Sequence, residues 1–202
     1  MRKTRYDAGF FCVDGAFAVE YNKAKGEITM NDFVNFALDR YSVRAYDETR
    51  PVEPEKIHRI LQAAQIAPTA VNHQPQKIYL LQTPEAMATI RSLSRSVYNA
   101  PFVFLICADE EQTWHSPTEV GYTTGEMDAS IVCTYMMLEA YSLGLGTCWV
   151  RLFDAVAVAN AFQLPRNIRP VCLLALGYPA DNSVPSPWHE TNKAIEDFTE
   201  VF

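Results

Sequence analysis

Beyond residue 30, apolar and polar positions alternate in blocks that switch between helical and strand periods. Asn31 or Asp32 can cap a short helix running to Leu38, with Phe33, Phe36 and Ala37 along one side. A second helix opens at Pro54, whose missing N–H is harmless at a first helical position; Ile57, Ile60, Leu61 and Ala64 give it an apolar stripe, and Pro68 ends it. Residues 77–82 alternate as a strand, and residues 84–93 read as a helix started by Pro84 and Glu85. The continuous apolar run at 102–108 predicts a strand buried on both faces. Residues 127–143 carry the longest helical pattern, apolar nearly all round, which predicts a place in a core or a subunit interface. A strand at 147–151, a helix at 155–162 and a strand at 171–178 follow, and the chain then runs into an extended tail around and beyond Trp188. Helices and strands mixed without strict alternation predict an α+β fold with one central sheet. Residues 109–124 show no usable pattern.

At 202 residues the chain is long enough to bury its own core as one domain. The formal net charge of −7, with Lys and Arg scattered, argues against a general binder of nucleic acid or anionic membrane. Five cysteines, none in a C-x-x-C pair, read as small hydrophobes in a reducing compartment. The four histidines are isolated, so no metal site is expected. No apolar run approaches the length of a membrane span, which leaves the cytoplasm as the default. Residues 1–29 are expected to be translated leader or a disordered extension, because Lys25-Gly26-Glu27 can be encoded by a purine-rich, ribosome-binding-like stretch just ahead of Met30. An N-terminal extension that packs on a partner is the alternative. Residues 30–202 are expected to form the single domain.

Three segments carry candidate chemistry. In Arg40-Tyr41-Ser42-Val43-Arg44, an extended backbone would put Arg40, Ser42 and Arg44 on one face. Two guanidinium forks and a hydroxyl suit a phosphate; the bland reading is a solvated surface stretch. Residues 67–75 (Ala-Pro-Thr-Ala-Val-Asn-His-Gln-Pro) form a helix exit and a polar loop flanked by prolines, in which Asn72 and Gln74 carry amides able to donate and accept. Those amides could equally serve their own turn. In Leu143-Gly144-Leu145-Gly146-Thr147-Cys148-Trp149, a helix precedes and a strand follows, the reverse of a dinucleotide-binding loop. Gly144 is better read as a left-handed helix terminus and Gly146 as a point of close backbone approach.

Together with Leu176-Gly177-Tyr178-Pro179, these motifs in this order resemble the FMN-dependent nitroreductase family over most of residues 31–202. The resemblance implies a nitroreductase-like fold, a mostly antiparallel sheet flanked by helices, and an interlocked homodimer with two FMN sites at its interface. It implies that Arg40, Tyr41, Ser42 and Arg44 hold the phosphate and ribityl end. Asn72 and Gln74 would meet the flavin, Pro68, Thr69 and Ala70 would reach in from the partner chain, and Arg151 and Leu152 would lie near the redox-active ring edge. Many members carry a basic residue near the C-terminus that completes the phosphate grip, and Lys193 is the candidate here. Gln76 and Val71 depart from the family's usual tryptophan and glycine. The implied activity is oxidoreductase chemistry: hydride from NADH or NADPH, then reduction of a nitroaromatic, quinone or similar small acceptor by a ping-pong mechanism, with no catalytic side chain. A non-catalytic flavin-binding protein for storage or sensing shares every motif. A ligand-free interaction domain is the third reading.

Overall fold

The computed structural model describes residues 33–202 in full, together with the backbone of two short strands, β1 (Glu20–Asn22) and β2 (Glu27–Thr29), which pair antiparallel. The expectation for residues 1–29 otherwise lies outside the described residues. From residue 33 the order is α1 (Phe33–Asp39), α2 (Pro54–Ile66), β3 (Gln76–Leu81), α3 (Pro84–Leu93), β4 (Phe102–Asp109), α4 (Gly125–Ser142), β5 (Gly146–Val150), α5 (Ala155–Ala161) and β6 (Ile168–Gly177). This is the expected α+β arrangement.

Four strands form one sheet in the order β3-β4-β6-β5, every neighbouring pair antiparallel. The sheet is covered on both faces, which explains the continuous apolar runs Phe102–Ala108 in β4 and Val171–Leu176 in β6. On β4, Phe102, Phe104, Ile106 and Ala108 enter one cluster with Ile60 and Ala64 of α2 and Ala129, Val132 and Met136 of α4. Val103, Leu105 and Cys107 enter the opposite cluster with Met87 and Ile90 of α3 and Val158 of α5. Successive side chains of a strand point to opposite faces, so each face collects every second residue.

Local signals set the helix ends. Thr83 accepts a hydrogen bond from the Ala86 amide ahead of α3, and Asp154 accepts from the Val156 and Ala157 amides ahead of α5. At the end of α4, Gly144 takes φ 75°, with Gly144 N–H donating to Tyr141 O and Leu145 N–H to Ala140 O. That pair of bonds is the Schellman closure, and it places Gly144 as expected. Strand β6 begins at Ile168, three residues before the sequence predicts. Pro170 cannot donate to a ladder, but it sits where the β4–β6 register shifts, opposite Cys107, and Val171 is skipped in the pairing. The tail beyond residue 186 is not simply extended, since it makes 3-10 turns at Pro187–Glu190 and Ile195–Asp197. Among the described residues, no helix is long and apolar enough to cross a membrane.

Candidate functional site

Residues 40–44 run along the free edge of β5. Val43 N–H donates to Thr147 O at 2.9 Å, and Ser42 forms a parallel bridge with Thr147. Val43 turns into the core and is 2% exposed, while Arg40 and Ser42 are half-buried and Arg44 is exposed. The approach is this close because Gly146 lacks a side chain: a Cβ there would lie 2.6 Å from Val43 Cγ2. Behind it, Tyr46 Oη donates to Val43 O at 3.0 Å, and burial pushes its phenol pKa strongly up.

Arg40, Ser42 and Arg44 line one cavity of about 180 Å³, together with Tyr41, Ser186, Trp188 and His189. Arg44 is aimed by two hydrogen bonds, Nε–H to Tyr98 Oη and Nη1–H to Ser42 O, each 3.1 Å. Burial lowers the pKa of Arg40, with Tyr141 and Cys148 nearby opposing that effect; a guanidinium nevertheless keeps its proton in a protein. Among the described residues, neither Arg40 nor Arg44 forms an ion pair with a carboxylate. A second cavity of about 220 Å³ shares Arg40 and Tyr41 and is walled by Tyr141, Thr147 and Pro179. Thr147 Oγ1, on a residue 2% exposed, has no hydrogen-bond partner among the described residues. Two guanidinium forks on one cavity have the chemistry that suits an anion.

The loop at residues 67–75 is built differently. The buried Asp128 of α4 accepts from Ala70 N–H at 2.9 Å and from Thr124 Oγ1–H at 2.7 Å. Thr69 Oγ1 accepts from Gln74 N–H at 3.0 Å, and Gln74 Nε2–H donates to Asn72 Oδ1 at 3.2 Å. Val71, Asn72 and Gln74 all take positive φ, at 46°, 57° and 51°. Asn tolerates that region, whereas a β-branched Val does so only under constraint. Within one chain, then, the two amides serve their own turn. None of residues 67–75 lines either cavity at the arginine pair.

Arg151 and Leu152 follow β5 and are exposed; Leu152 O accepts from Ser94 Oγ–H at 2.9 Å, and Arg151 packs its guanidinium 5.1 Å from the Phe153 ring. Lys193 is exposed and lines neither cavity, so the structure does not bring it to the arginines. His189 stands there in its place, in edge contact with the Tyr41 ring at 6.2 Å. The sequence reading missed His189, Trp188, Ser186, Tyr98 and Thr147. A signal for the first three existed in Ser186-Pro187, a cap followed by proline, which starts the 3-10 turn that delivers them: Ser186 Oγ accepts from Trp188 N–H at 3.4 Å.

A protein of Methanothermobacter thermautotrophicus, provisionally named an NADH dehydrogenase/NAD(P)H nitroreductase, is 30% identical over 78% of this chain and 82% of its own length. An FMN reductase [NAD(P)H] of Bacillus subtilis is 27% identical over 78% of this chain and 70% of its own. The crystal structure of a nitroreductase family protein from Clostridium difficile 630 superposes with a TM-score of 0.78 at 34% identity, covering 84% of this chain and 97% of that one. The model of the nitroreductase family matches residues 37–97 and 91–178, a stretch that holds the paired arginines, the proline-flanked loop and the Gly144–Trp149 turn. By sequence and by fold alike, this chain belongs to the nitroreductase family.

Proposed function

We propose that the protein is an FMN-dependent, NAD(P)H-consuming oxidoreductase of the cytoplasm, acting on nitroaromatics, quinones or a similar small acceptor. The observation that carries this reading is the convergence of Arg40, Ser42 and Arg44 on one cavity, with neither guanidinium group paired to a carboxylate among the described residues. Those donors fit the phosphate of FMN. When bound, FMN would supply the redox chemistry for hydride transfer between NAD(P)H and the acceptor, the basis of a ping-pong reaction. The chain's part is to bind and orient: Arg44 and Arg40 neutralise the phosphate, and Ser42 and Tyr41 border it. His189 and Trp188 close the cavity from the C-terminal side, the place Lys193 was expected to fill.

Support for a homodimer comes from what one chain leaves apart. The strained loop of Pro68, Thr69, Ala70, Asn72 and Gln74 stands outside the arginine cavities, and Arg151 and Leu152 end an exposed turn. A second copy supplying that loop would complete a site that a single chain presents in two parts. Exposed Phe33, Val34 and Leu38 on α1, and Trp188 and Phe198 in the tail, are the apolar surface such a pairing would cover.

The experiment is a titration of the full chain with FMN, followed by anaerobic addition of NADH or NADPH. A yellow complex that bleaches with the nicotinamide, and regains colour with a nitroaromatic or quinone, supports the oxidoreductase. Colour without bleaching would favour a flavin-storage or sensing protein. No binding at all would overturn the flavin reading.

A further inference from the structure

Tyr98 is held in a conformation that tyrosine rarely adopts. Residues 97–100 form a tight turn closed by Ala100 N–H to Val97 O, and Tyr98 sits in it at φ 53° and ψ −141°. In that corner of backbone space a Cβ crowds its own peptide units, so glycine is the usual occupant. The neighbours leave little choice. Tyr98 N–H donates to Arg95 O at 3.0 Å, and Arg91 Nη2–H donates to Ala100 O at 2.9 Å. The Asn99 side chain accepts from Tyr46 N–H at 3.0 Å and donates to Tyr46 O at 2.8 Å, reading that buried residue as a neighbouring strand would. It also donates to Glu48 Oε1 at 2.9 Å.

A glycine would meet this turn without strain; what it would lack is the ring and the hydroxyl. The ring packs against the core cluster that contains Val43, and the hydroxyl accepts Arg44 Nε–H at 3.1 Å. With Nη1 donating to Ser42 O, Arg44 keeps three of its five N–H donors for a ligand, already turned toward the cavity. We infer that Tyr98 and Asn99 form a clamp across the Arg44–Tyr46 segment, and that Tyr98 is a positioning residue which pre-orders Arg44 for the ligand's phosphate. The inference rests on the flavin reading above. An exposed arginine free to rotate must lose that freedom when it binds, and a clamp paid in advance removes this cost from the binding step. Strain in the unliganded chain is thereby converted into affinity for one end of the ligand.

The test compares FMN with riboflavin, which lacks only the phosphate, on the full-length wild type and on Tyr98→Phe. The variant keeps the ring and removes the hydroxyl, and thermal melting reports whether it folds. The expected result is an FMN dissociation constant raised about three- to tenfold with riboflavin unchanged. In an Arg44→Lys background, where no Nε–H exists, adding Tyr98→Phe should change nothing further. Should Tyr98→Phe not fold, hydrogen exchange of Arg44 Nε–H in the unliganded wild type probes the same contact: protection is expected, and exchange as fast as in free arginine would overturn the clamp. Equal affinities of wild type and Tyr98→Phe for FMN, or a loss shared by riboflavin, would overturn the clamp while leaving the flavin site standing. A wild type that binds neither ligand would overturn both.

Discussion

Val43 occupies the space where a side chain at Gly146 would be: a Cβ on Gly146 would stand 2.6 Å from Val43 Cγ2 and 3.0 Å from Pro179 Cγ. Two motifs a hundred residues apart thus meet at one contact, and the position of the paired arginines depends on the absence of a single methyl group. Gly146→Ala should destabilise the fold by about 1–3 kcal/mol through overpacking. It should also weaken FMN binding, because the displaced segment carries Arg40 and Arg44. Urea denaturation and a flavin titration on the same preparation check both effects.

Arg40→Ala and Arg44→Ala should each weaken FMN about 10- to 100-fold, as expected for loss of charge-assisted hydrogen bonds. Riboflavin affinity should hardly move. Fluorescence quenching of each flavin, repeated at low and high salt, reads this directly, and the salt dependence of FMN binding should flatten in both variants.

Asp128 joins α4 to the loop through Ala70 N–H and Thr124 Oγ1. Asp128→Ala should cost about 2–3 kcal/mol, since it leaves two donors without their charged acceptor. Hydrogen exchange should show the Ala70 amide opening far faster than in wild type. Asp128→Asn, which keeps one acceptor oxygen, should fall between the two.

Much of this organisation was legible in the sequence. Each helix and strand expected from residue 31 onward is present, because apolar spacing reports burial, and burial on both sheet faces made β4 unmistakable. The shared face of Arg40, Ser42 and Arg44 was legible too, since alternation along an extended segment puts them opposite the inward Val43. What could not be read depends on three-dimensional return of the chain. Pro170 hid the start of β6 because a proline usually breaks a ladder, and only the register shift opposite Cys107 admits it. Lys193 is what the family resemblance implies for the C-terminal end of the grip, whereas the turn begun at Ser186 brings His189 to the cavity within one chain. Tyr98 gave no signal, since a left-handed backbone at a tyrosine is set by neighbours distant in sequence.

Burial raises the pKa of the Cys107 thiol to about 12, and it also raises those of Cys133 and Cys148. A thiol whose folded pKa exceeds its ordinary value near 9 favours the folded state while protonated. That contribution is complete below pH about 9 and is lost as pH climbs toward about 12. Stability measured by denaturant should therefore decline across this window. At pH 8, iodoacetamide should leave these three thiols unmodified in the folded protein and label them readily in urea.

The sheet order carries a consequence for how the protein is made. Strand β6 follows β5 in the chain, yet it lies between β4 and β5. On a ribosome, β3 and β4 can pair early, but β5 emerges with no strand to receive it, and β4 keeps an open apolar edge until Ile168–Gly177 has left the exit tunnel. The landing rail for Ser42 and Val43 along Thr147 is in place only after that moment. Flavin binding is therefore a property the nascent chain acquires only once β6 has emerged, and a polypeptide stopped before β6 would expose unpaired strands that favour aggregation.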